Sequence, residues 1–232
     1  LSHGLAPPAL MSPARPVRAC LFDLDGTLAD TAPDLAAALN RVRRDHDLTE
    51  LPLERLRPMA SHGARGLLAV GMQVTPEEAR YDALKETFLA YYLEAIRVRT
   101  TLFDGVVPLL ERLHQLALPW GIVTNKLSTY TQPLVTQLPW PHPPGCVVSG
   151  DTAARPKPAP DPLLYAAQAL RIDPASCIYV GDDLRDMQSA QAAGMRAIAA
   201  AYGYCGPSAP ESWDADAIIH HPLELLTLDL MS

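Results

Sequence analysis

The amino-acid sequence predicts an α/β protein, with a Rossmann-like, three-layer core around a central parallel sheet and an all-helical cap inserted into that core. In the second half of the chain, short apolar runs alternate with helix-length segments, as they do where crossover helices join parallel strands. Between Thr31 and Thr101, in contrast, there is no strand-like run. This difference indicates that a helical insertion interrupts the α/β pattern after its first strand.

The first strand is predicted over residues 17–22, a mostly apolar run followed by a glycine turn, as is typical of a buried parallel strand. The insertion contains predicted helices over residues 34–44, 64–70 and 76–98. Thr31 is the predicted N-cap of the first helix, with Pro33 in its first turn. Thr75 and Glu78 have the spacing of a capping box at the start of the third.

Beyond Gly105 the sequence predicts alternating helices and strands. The helices are expected over residues 106–116, 128–137, 161–170 and 184–193, and from Pro222 onward. The strands are expected over residues 120–124, 146–149, 177–181, 196–200 and 217–220. We therefore predict a flexible leader (residues 1–15), a catalytic core (residues 16–31 and 104–232) and a helical cap (residues 32–103).

Composition excludes several classes of function. The 232 residues are 48% hydrophobic, enough for a buried core, and the net charge of −7 argues against a nucleic-acid-binding protein, which needs a basic face. The leader has no long apolar stretch, so it predicts neither a signal peptide nor a membrane span. No two of the four cysteines have Cys-x-x-Cys spacing, and we expect free thiols in a reducing, cytoplasmic compartment.

Two acids follow the first predicted strand in the sequence FDLDGT. Asp23 and Asp25 stand at the end of the strand where open α/β sheets bind their ligands. Two carboxylates beside a tight glycine turn suit a divalent cation and an anionic substrate. A calcium loop or a plain Asp-rich turn is the competing interpretation. However, an EF-hand needs its glycine at the sixth position, whereas Gly26 is fourth from Asp23.

Polar residues also follow later predicted elements. Thr124 and Asn125 close the strand over residues 120–124, and both side chains can donate to phosphate oxygens. Lys157 lies between two prolines that restrict its backbone, so its ammonium could offset the charge of carboxylates and a phosphate. Taken singly, the first pair is also consistent with an ordinary turn, and Lys157 with a surface lysine.

A third group of acids follows the strand over residues 177–181. Asp182 can point across the sheet edge at Asp23 and share a metal ion with it. Asp186 returns to the same helix face one turn later. For Asp183, N-capping of the following helix is the competing interpretation, because acids at a helix start complement its dipole.

These motifs, taken together and in this order, resemble those of the haloacid dehalogenase-like hydrolase superfamily. The matching segments are DLDGT, the threonine of TNK, the lysine of RPKP, and GDDLRD. Within the superfamily, the chain looks like the phosphoglycolate phosphatase group. Its SHGARGLLAVG segment and its tail, AYGYCGP with WDADAIIHHPLEL, are most similar to N-acetylmuramic acid 6-phosphate phosphatases.

The resemblance implies a mechanism and a cofactor. Asp23 would be the nucleophile that forms an aspartyl-phosphate, and Asp25 would protonate the leaving alcohol and then activate water. Mg²⁺ would be bound by the side chains of Asp23 and Asp182 and by the backbone carbonyl of Asp25. Asp186, with Asp183, would lie behind these ligands and orient a metal-bound water.

The resemblance also implies how the substrate is held. Thr124, Asn125 and Lys157 would bind the phosphoryl oxygens. Arg65 would contact the substrate from the cap, with a solvated arginine as the alternative. The cap would hinge at the linkers around residues 28–33 and 101–105, closing over the site during catalysis.

The expected activity is Mg²⁺-dependent hydrolysis of a small phosphorylated metabolite, such as 2-phosphoglycolate or N-acetylmuramic acid 6-phosphate, by a monomer or homodimer without nucleic-acid or membrane partners. A sugar phosphomutase of the β-phosphoglucomutase kind shares the core residues and is the alternative. Dehalogenases lack an acid at the position of Asp25. Phosphonate hydrolases use a cap lysine, whereas Arg65 stands here, and a guanidinium cannot form their Schiff base.

Overall fold

The computed structural model describes residues 16–228, so the predicted leader lies outside the described residues. The strands, in chain order, are β1 (Ala19–Phe22), β2 (Ala29–Asp30), β3 (Thr101–Leu102), β4 (Trp120–Val123), β5 (Cys146–Val148), β6 (Cys177–Gly181), β7 (Arg196–Ala200) and β8 (Ala217–Ile219). Within the described chain, six of them form a parallel sheet in the order β5-β4-β1-β6-β7-β8. The predicted α/β class with a central parallel sheet is confirmed.

The α-helices are α1 (Ala32–Asp45), α2 (Leu53–Leu56), α3 (Gly63–Met72), α4 (Tyr81–Glu94), α5 (Val106–Gln115), α6 (Ser128–Gln137), α7 (Asp161–Leu170) and α8 (Leu184–Ala192). Short 3₁₀ helices cover Arg57–His62, Pro174–Ser176, Pro210–Ser212 and Pro222–Thr227. The predicted C-terminal helix is therefore a 3₁₀ helix as far as the structure describes it.

Alternating side chains of the sheet build two apolar layers, which gives the three-layer arrangement. In β1, Cys20 and Phe22 join the core shared with α1, α3, α4 and α5, whereas Ala19 and Leu21 join the core shared with α7 and α8. Successive side chains of a strand point to opposite faces of its sheet, so a strand buried on both faces is apolar throughout. This explains why β1 is a continuous apolar run.

The register of the sheet brings the strand ends to one edge. Phe22 pairs with Ile122 of β4 and with Val180 of β6. The residues that follow these three strands therefore emerge side by side, at the carboxyl edge where ligands bind in such sheets. Asp23, Thr124 and Asp182 occupy these positions.

The helical segment between β2 and β3 differs from the prediction at one helix. The helix predicted over residues 76–98 is shorter, because α4 begins at Tyr81 and ends at Glu94. Glu78 does accept a hydrogen bond from the Thr75 amide, at 2.9 Å, but this contact closes a turn rather than a helix. At the other end, Asp34 accepts hydrogen bonds from three successive backbone amides, of residues 98–100, and holds them outside the helix.

Two further features of this region were not predicted. The short helix α2 lies in a stretch without clear periodicity, and β2 pairs antiparallel with β3 where the chain leaves and re-enters the α/β part. Thr31 does precede α1, but its side chain makes no capping bond, because its hydroxyl donates to Asp25 instead.

The structure also bears on the expected free thiols and on the question of membrane-spanning helices. All four cysteines are free, and Cys20 and Cys177 are buried in the core, as predicted for thiols packed as small hydrophobes. Among the described residues, no helix is both long and apolar enough to cross a bilayer.

Candidate active site

A buried lysine lies at the centre of the carboxyl edge. The ammonium of Lys157 is 3.1 Å from Asp23 Oδ1 and 2.7 Å from Asp186 Oδ1, and the residue is only 4% exposed. It also donates hydrogen bonds to the carbonyl of Val123, at 3.0 Å, and to the hydroxyl of Tyr179, at 2.6 Å. The surface-lysine interpretation is therefore wrong, since Lys157 is a fully paired buried cation.

Three buried carboxylates lie together at this edge, and two of them, Asp23 and Asp186, pair with the lysine. Oxygen atoms of Asp23, Asp182 and Asp186 lie within 4.8 Å of one another. Carboxylate oxygens are the ligands that hard divalent cations such as Mg²⁺ prefer. Three buried negative groups beside one lysine leave a deficit of positive charge, so the residues present fit a divalent cation.

The pKa values of these groups report the same deficit. Burial raises the pKa of Asp23 to about 7. The Lys157 ammonium lowers this pKa, and the negative charge of Asp186 raises it further. Burial and the charge of Asp23 hold the pKa of Asp182 well above its usual range. The pKa of Lys157 is raised, because Asp186 and Asp23 outweigh the opposing effect of burial.

Asp182 is fixed from three directions. Its Oδ2 accepts hydrogen bonds from the Tyr204 amide and from the Ser61 hydroxyl, each at 2.9 Å, and its Oδ1 accepts one from Thr27 at 3.2 Å. Gly26 packs directly against it, since a Cβ there would come within 2.1 Å of Asp182 Oδ2. Gly26 also has a φ of +84°, which favours glycine. The glycine of the DLDGT motif thus makes room for the acid on the neighbouring strand.

Asp25 is held by a lysine that the sequence analysis did not single out. The ammonium of Lys126 donates to both carboxylate oxygens of Asp25, at 2.8 and 3.0 Å, and Thr31 donates to Oδ1. Burial opposes the charge on Lys126, but Asp25 outweighs burial and raises its pKa. The TNK segment contained the signal, because Lys126 is the third residue after the end of β4.

Thr124 and Asn125 both border the cavity beside Asp23. Thr124 is buried, and its hydroxyl accepts a hydrogen bond from the Lys126 amide at 3.2 Å. The Asn125 side chain exchanges two hydrogen bonds of 2.9 Å with the backbone of Lys157. Asn125 therefore positions the lysine loop, and its amide side chain is occupied in doing so.

Asp183 borders the same cavity but is not one of the three clustered carboxylates. Its side chain accepts from the backbone amide of Arg185 and, with Asp186, forms the capping box of α8. Burial alone would raise the pKa of Asp183, but hydrogen bonding to the Arg185 guanidinium outweighs it and lowers the pKa. The N-cap interpretation describes Asp183, whereas Asp186 both caps the helix and binds Lys157.

A cavity of about 300 Å³ opens above these groups, between the carboxyl edge and the helical insertion. From the insertion it is lined by Leu35, Ala60, Ser61, His62, Gly63, Ala64, Lys85, Phe88, Leu89 and Tyr92. Arg185 also borders it, and donates to the carbonyl of Ser61 at 2.9 Å. The exposed Arg65 is absent from the described lining and instead borders a neighbouring cavity, with His62 and Arg185.

A family model described as "Haloacid dehalogenase-like hydrolase" matches residues 20–200, which contain the four strand-end segments. The chain belongs to this family. The predicted resemblance is confirmed.

Curated relatives of this hydrolase match most of its length. It is 44% identical to a phosphoglycolate phosphatase of Xanthomonas campestris pv. campestris (strain 8004) over 209 residues, which are 90% of this chain and 94% of the relative. It is 39% identical to an N-acetylmuramic acid 6-phosphate phosphatase of Pseudomonas putida, with the same coverage of both chains.

The fold of the hydrolase also matches solved structures. A crystal structure of a predicted phosphoglycolate phosphatase from Haemophilus somnus 129pt superimposes with a TM-score of 0.80 at 26% sequence identity. The match covers 91% of this chain and 97% of that one, so the helical insertion is shared as well as the sheet. These relatives do not favour the phosphomutase alternative.

Proposed function

We propose that this protein is a Mg²⁺-dependent phosphatase that hydrolyses a small phosphomonoester through an aspartyl-phosphate on Asp23. The observation that carries the proposal is the buried cluster of Asp23, Asp182 and Asp186 at the carboxyl edge, with the Lys157 ammonium paired to Asp23 and Asp186. A site of this kind offers a carboxylate nucleophile, a place for a cation, and a fixed positive charge for phosphoryl oxygens. The names of the curated relatives support the same reaction.

In the first half of the reaction, an Asp23 oxygen attacks phosphorus and the bond between phosphorus and the ester oxygen breaks. Asp25, in its protonated form, gives its proton to the departing oxygen, so the product leaves as a neutral alcohol. Lys157 stabilises the charge on the transferring phosphoryl group, and Thr124 donates a hydrogen bond to it. These groups require no rearrangement, because buried hydrogen bonds already hold the lysine in place.

In the second half, a water oxygen attacks phosphorus and the bond to Asp23 breaks. Asp25, now ionised, accepts the proton from that water. Lys126 is well placed to hold the ionised carboxylate, since it donates to both oxygens of Asp25. Inorganic phosphate then leaves, and Asp23 is regenerated.

Asp23 and Asp182 would hold Mg²⁺ with their side chains, and Asp25 with its backbone carbonyl. The bound cation would supply positive charge that stabilises the phosphoryl oxygens. Asp186 would support this arrangement from behind, through Lys157. Asp183 would contribute indirectly, by ordering the start of α8.

The substrate in this proposal is 2-phosphoglycolate or N-acetylmuramic acid 6-phosphate, the compounds in the names of the relatives. The helical insertion, residues 32–103, would act as a cap that opens at the β2–β3 pair to admit it. The cytoplasmic location and the monomeric or homodimeric state stay predictions.

Metal removal tests the proposal. We expect the purified protein to release phosphate from one of the two candidate substrates with Mg²⁺, and to lose that activity in EDTA and regain it when Mg²⁺ is restored. β-Glucose 1-phosphate, assayed with its 1,6-bisphosphate, is the control for the mutase. Turnover that EDTA leaves unchanged, or formation of glucose 6-phosphate without phosphate release, would contradict the proposal.

A further inference from the structure

The insertion side of the cavity contains a buried hydroxyl whose proton has no acceptor. Tyr92, on α4, is 1% exposed, and its Oη faces the Lys126 ammonium, itself a donor, but meets no acceptor among residues 16–228. A buried unpaired hydroxyl costs free energy that a phenylalanine of the same shape would avoid. Packing alone therefore does not explain this oxygen, whereas a bound ligand would.

The surroundings of the hydroxyl place it at the catalytic end of the cavity. The Lys126 ammonium lies 4.8 Å from the centre of the Tyr92 ring, and the same ammonium donates to Asp25 at 2.8 Å. Burial raises the pKa of Tyr92 to about 12. The charge of Lys126 opposes this rise, and the charge of Asp25 adds to it. Tyr92 thus reaches from the insertion to the group that holds Asp25.

Apart from Tyr92, the face of α4 that lines the cavity is mostly apolar next to the hydroxyl. Lys85, Phe88, Leu89 and Tyr92 recur at the spacing of one helix face, and all four line the cavity. Phe88 and Leu89 form an apolar stretch between Lys85 and Tyr92. Along α4, a substrate in the cavity would therefore meet the polar pair of Tyr92 and Lys126 near Asp25, and an apolar wall beyond it.

We propose that Tyr92 Oη and Lys126 Nζ recognise the leaving group of the substrate, by binding an oxygen acceptor on the carbon next to the esterified carbon. The inference rests on the proposed phosphatase activity. A carboxylate, hydroxyl or ring oxygen at that position accepts from both donors. A plain alkyl chain leaves the Tyr92 hydroxyl without an acceptor in a buried site, whereas Lys126 stays paired with Asp25. Sites built to bind an oxygen reject analogues that lack it.

Two substrates of matched size test the pair. Ethyl phosphate has the two-carbon chain of 2-phosphoglycolate without its carboxylate, so the ratio of their kcat/KM values isolates the oxygen acceptor. N-acetylmuramic acid 6-phosphate, with a ring oxygen next to its esterified carbon, is assayed in parallel. We expect the wild type to prefer at least one of the oxygenated substrates over ethyl phosphate.

The variant Tyr92→Phe removes only the unpaired oxygen. We expect it to lower kcat/KM for the preferred oxygenated substrate by about 10- to 100-fold, with little change for ethyl phosphate and no decrease in Tm. Tyr91→Phe is the matched control, because the neighbouring tyrosine donates to Asp45 at 2.6 Å and is not among the residues that line the cavity. This control should keep the preference of the wild type.

The possible outcomes separate this inference from the proposed function. Equal hydrolysis of oxygenated and plain substrates by the wild type, or an unchanged preference in Tyr92→Phe, would overturn the inference and leave the phosphatase proposal standing. A marked loss of Tm in Tyr92→Phe would overturn it too, since the hydroxyl would then have a structural partner. If the wild type releases no phosphate from any monoester, including p-nitrophenyl phosphate, the proposed function fails and the inference fails with it.

Discussion

The two walls of the cavity are built in opposite ways. On the sheet side, the charged groups are buried and paired: Lys157 contacts four polar partners, and Lys126 holds both oxygens of Asp25. On the insertion side, the buried Tyr92 hydroxyl has no acceptor for its proton, and the buried His62 Nδ1 has no hydrogen-bond partner among the described residues.

This contrast separates chemistry from recognition. A fully paired group keeps its position when the substrate changes, which suits the transfer of a phosphoryl group common to all substrates. An unpaired buried donor gains a partner only when a particular ligand arrives, which suits selection among substrates. We therefore expect variants of the sheet side to lose turnover on every substrate, and variants of the insertion side to alter preferences.

The largest expected effect is at Asp23. Asp23→Asn should abolish turnover with every phosphomonoester, because an amide is a poor nucleophile, while the protein stays folded. Asp161→Asn is the matched control, since Asp161 pairs with Arg155 at the start of α7 and is not among the residues that line the cavity. Phosphate release by the two variants is the measurement. A loss in Asp161→Asn as large as in Asp23→Asn would show that the cluster does not define the chemistry.

Lys157 should show the next largest effect, and it should affect stability as well. Lys157→Met removes the cation that pairs with Asp23 and Asp186, and breaking a buried ion pair from one side costs about 3–5 kcal/mol. Because the carboxylates would then repel one another, added Mg²⁺ should restore more Tm to this variant than it adds to the wild type. Lys85→Met, on the insertion wall, should leave stability within about 0.5 kcal/mol. Similar Mg²⁺ responses in Lys157→Met and the wild type would argue against a cation at the cluster.

The smallest effects are expected where the insertion meets α8. Arg185 donates to Ser61 and borders the cavity, so Arg185→Ala should lower kcat/KM by about 10-fold, the loss of a charge-assisted contact. Arg65 is exposed and borders the neighbouring cavity, so Arg65→Ala should change kcat/KM by less than about threefold. Steady-state kinetics of the two variants would decide between them. A larger loss in Arg65→Ala would restore Arg65 as the cap contact that the sequence predicts.

The sheet was predictable because its strands are buried on both faces and end in recognisable turns. β6, α6 and α7 begin and end at the predicted residues, and Asp23, Lys157 and Asp182 meet because parallel strands bring their carboxyl ends to one edge. Local sequence carries this information for Asp23 and Asp182, which follow their strands directly, whereas Lys157 lies further along, in the loop after β5.

The insertion was less predictable, because its structure depends on contacts between distant segments. α4 ends earlier than its periodicity indicates, since the backbone amides of Arg99 and Thr100, beyond the end of the helix, donate hydrogen bonds to Asp34. The roles of Lys126 and Tyr92 arise only when α4 packs over the end of β4. No spacing in the sequence encodes that approach.

The covalent intermediate offers the most direct test of the central claim. Mixing the enzyme and Mg²⁺ with ³²P-labelled substrate, then quenching in acid within the first turnover, should leave label on the peptide that contains Asp23. Asp25→Asn should retain this label for longer, because it lacks the base that activates water for the second step, and Asp23→Asn should carry none. Absence of label from the protein at every quench time, or label on a different peptide, would contradict the account.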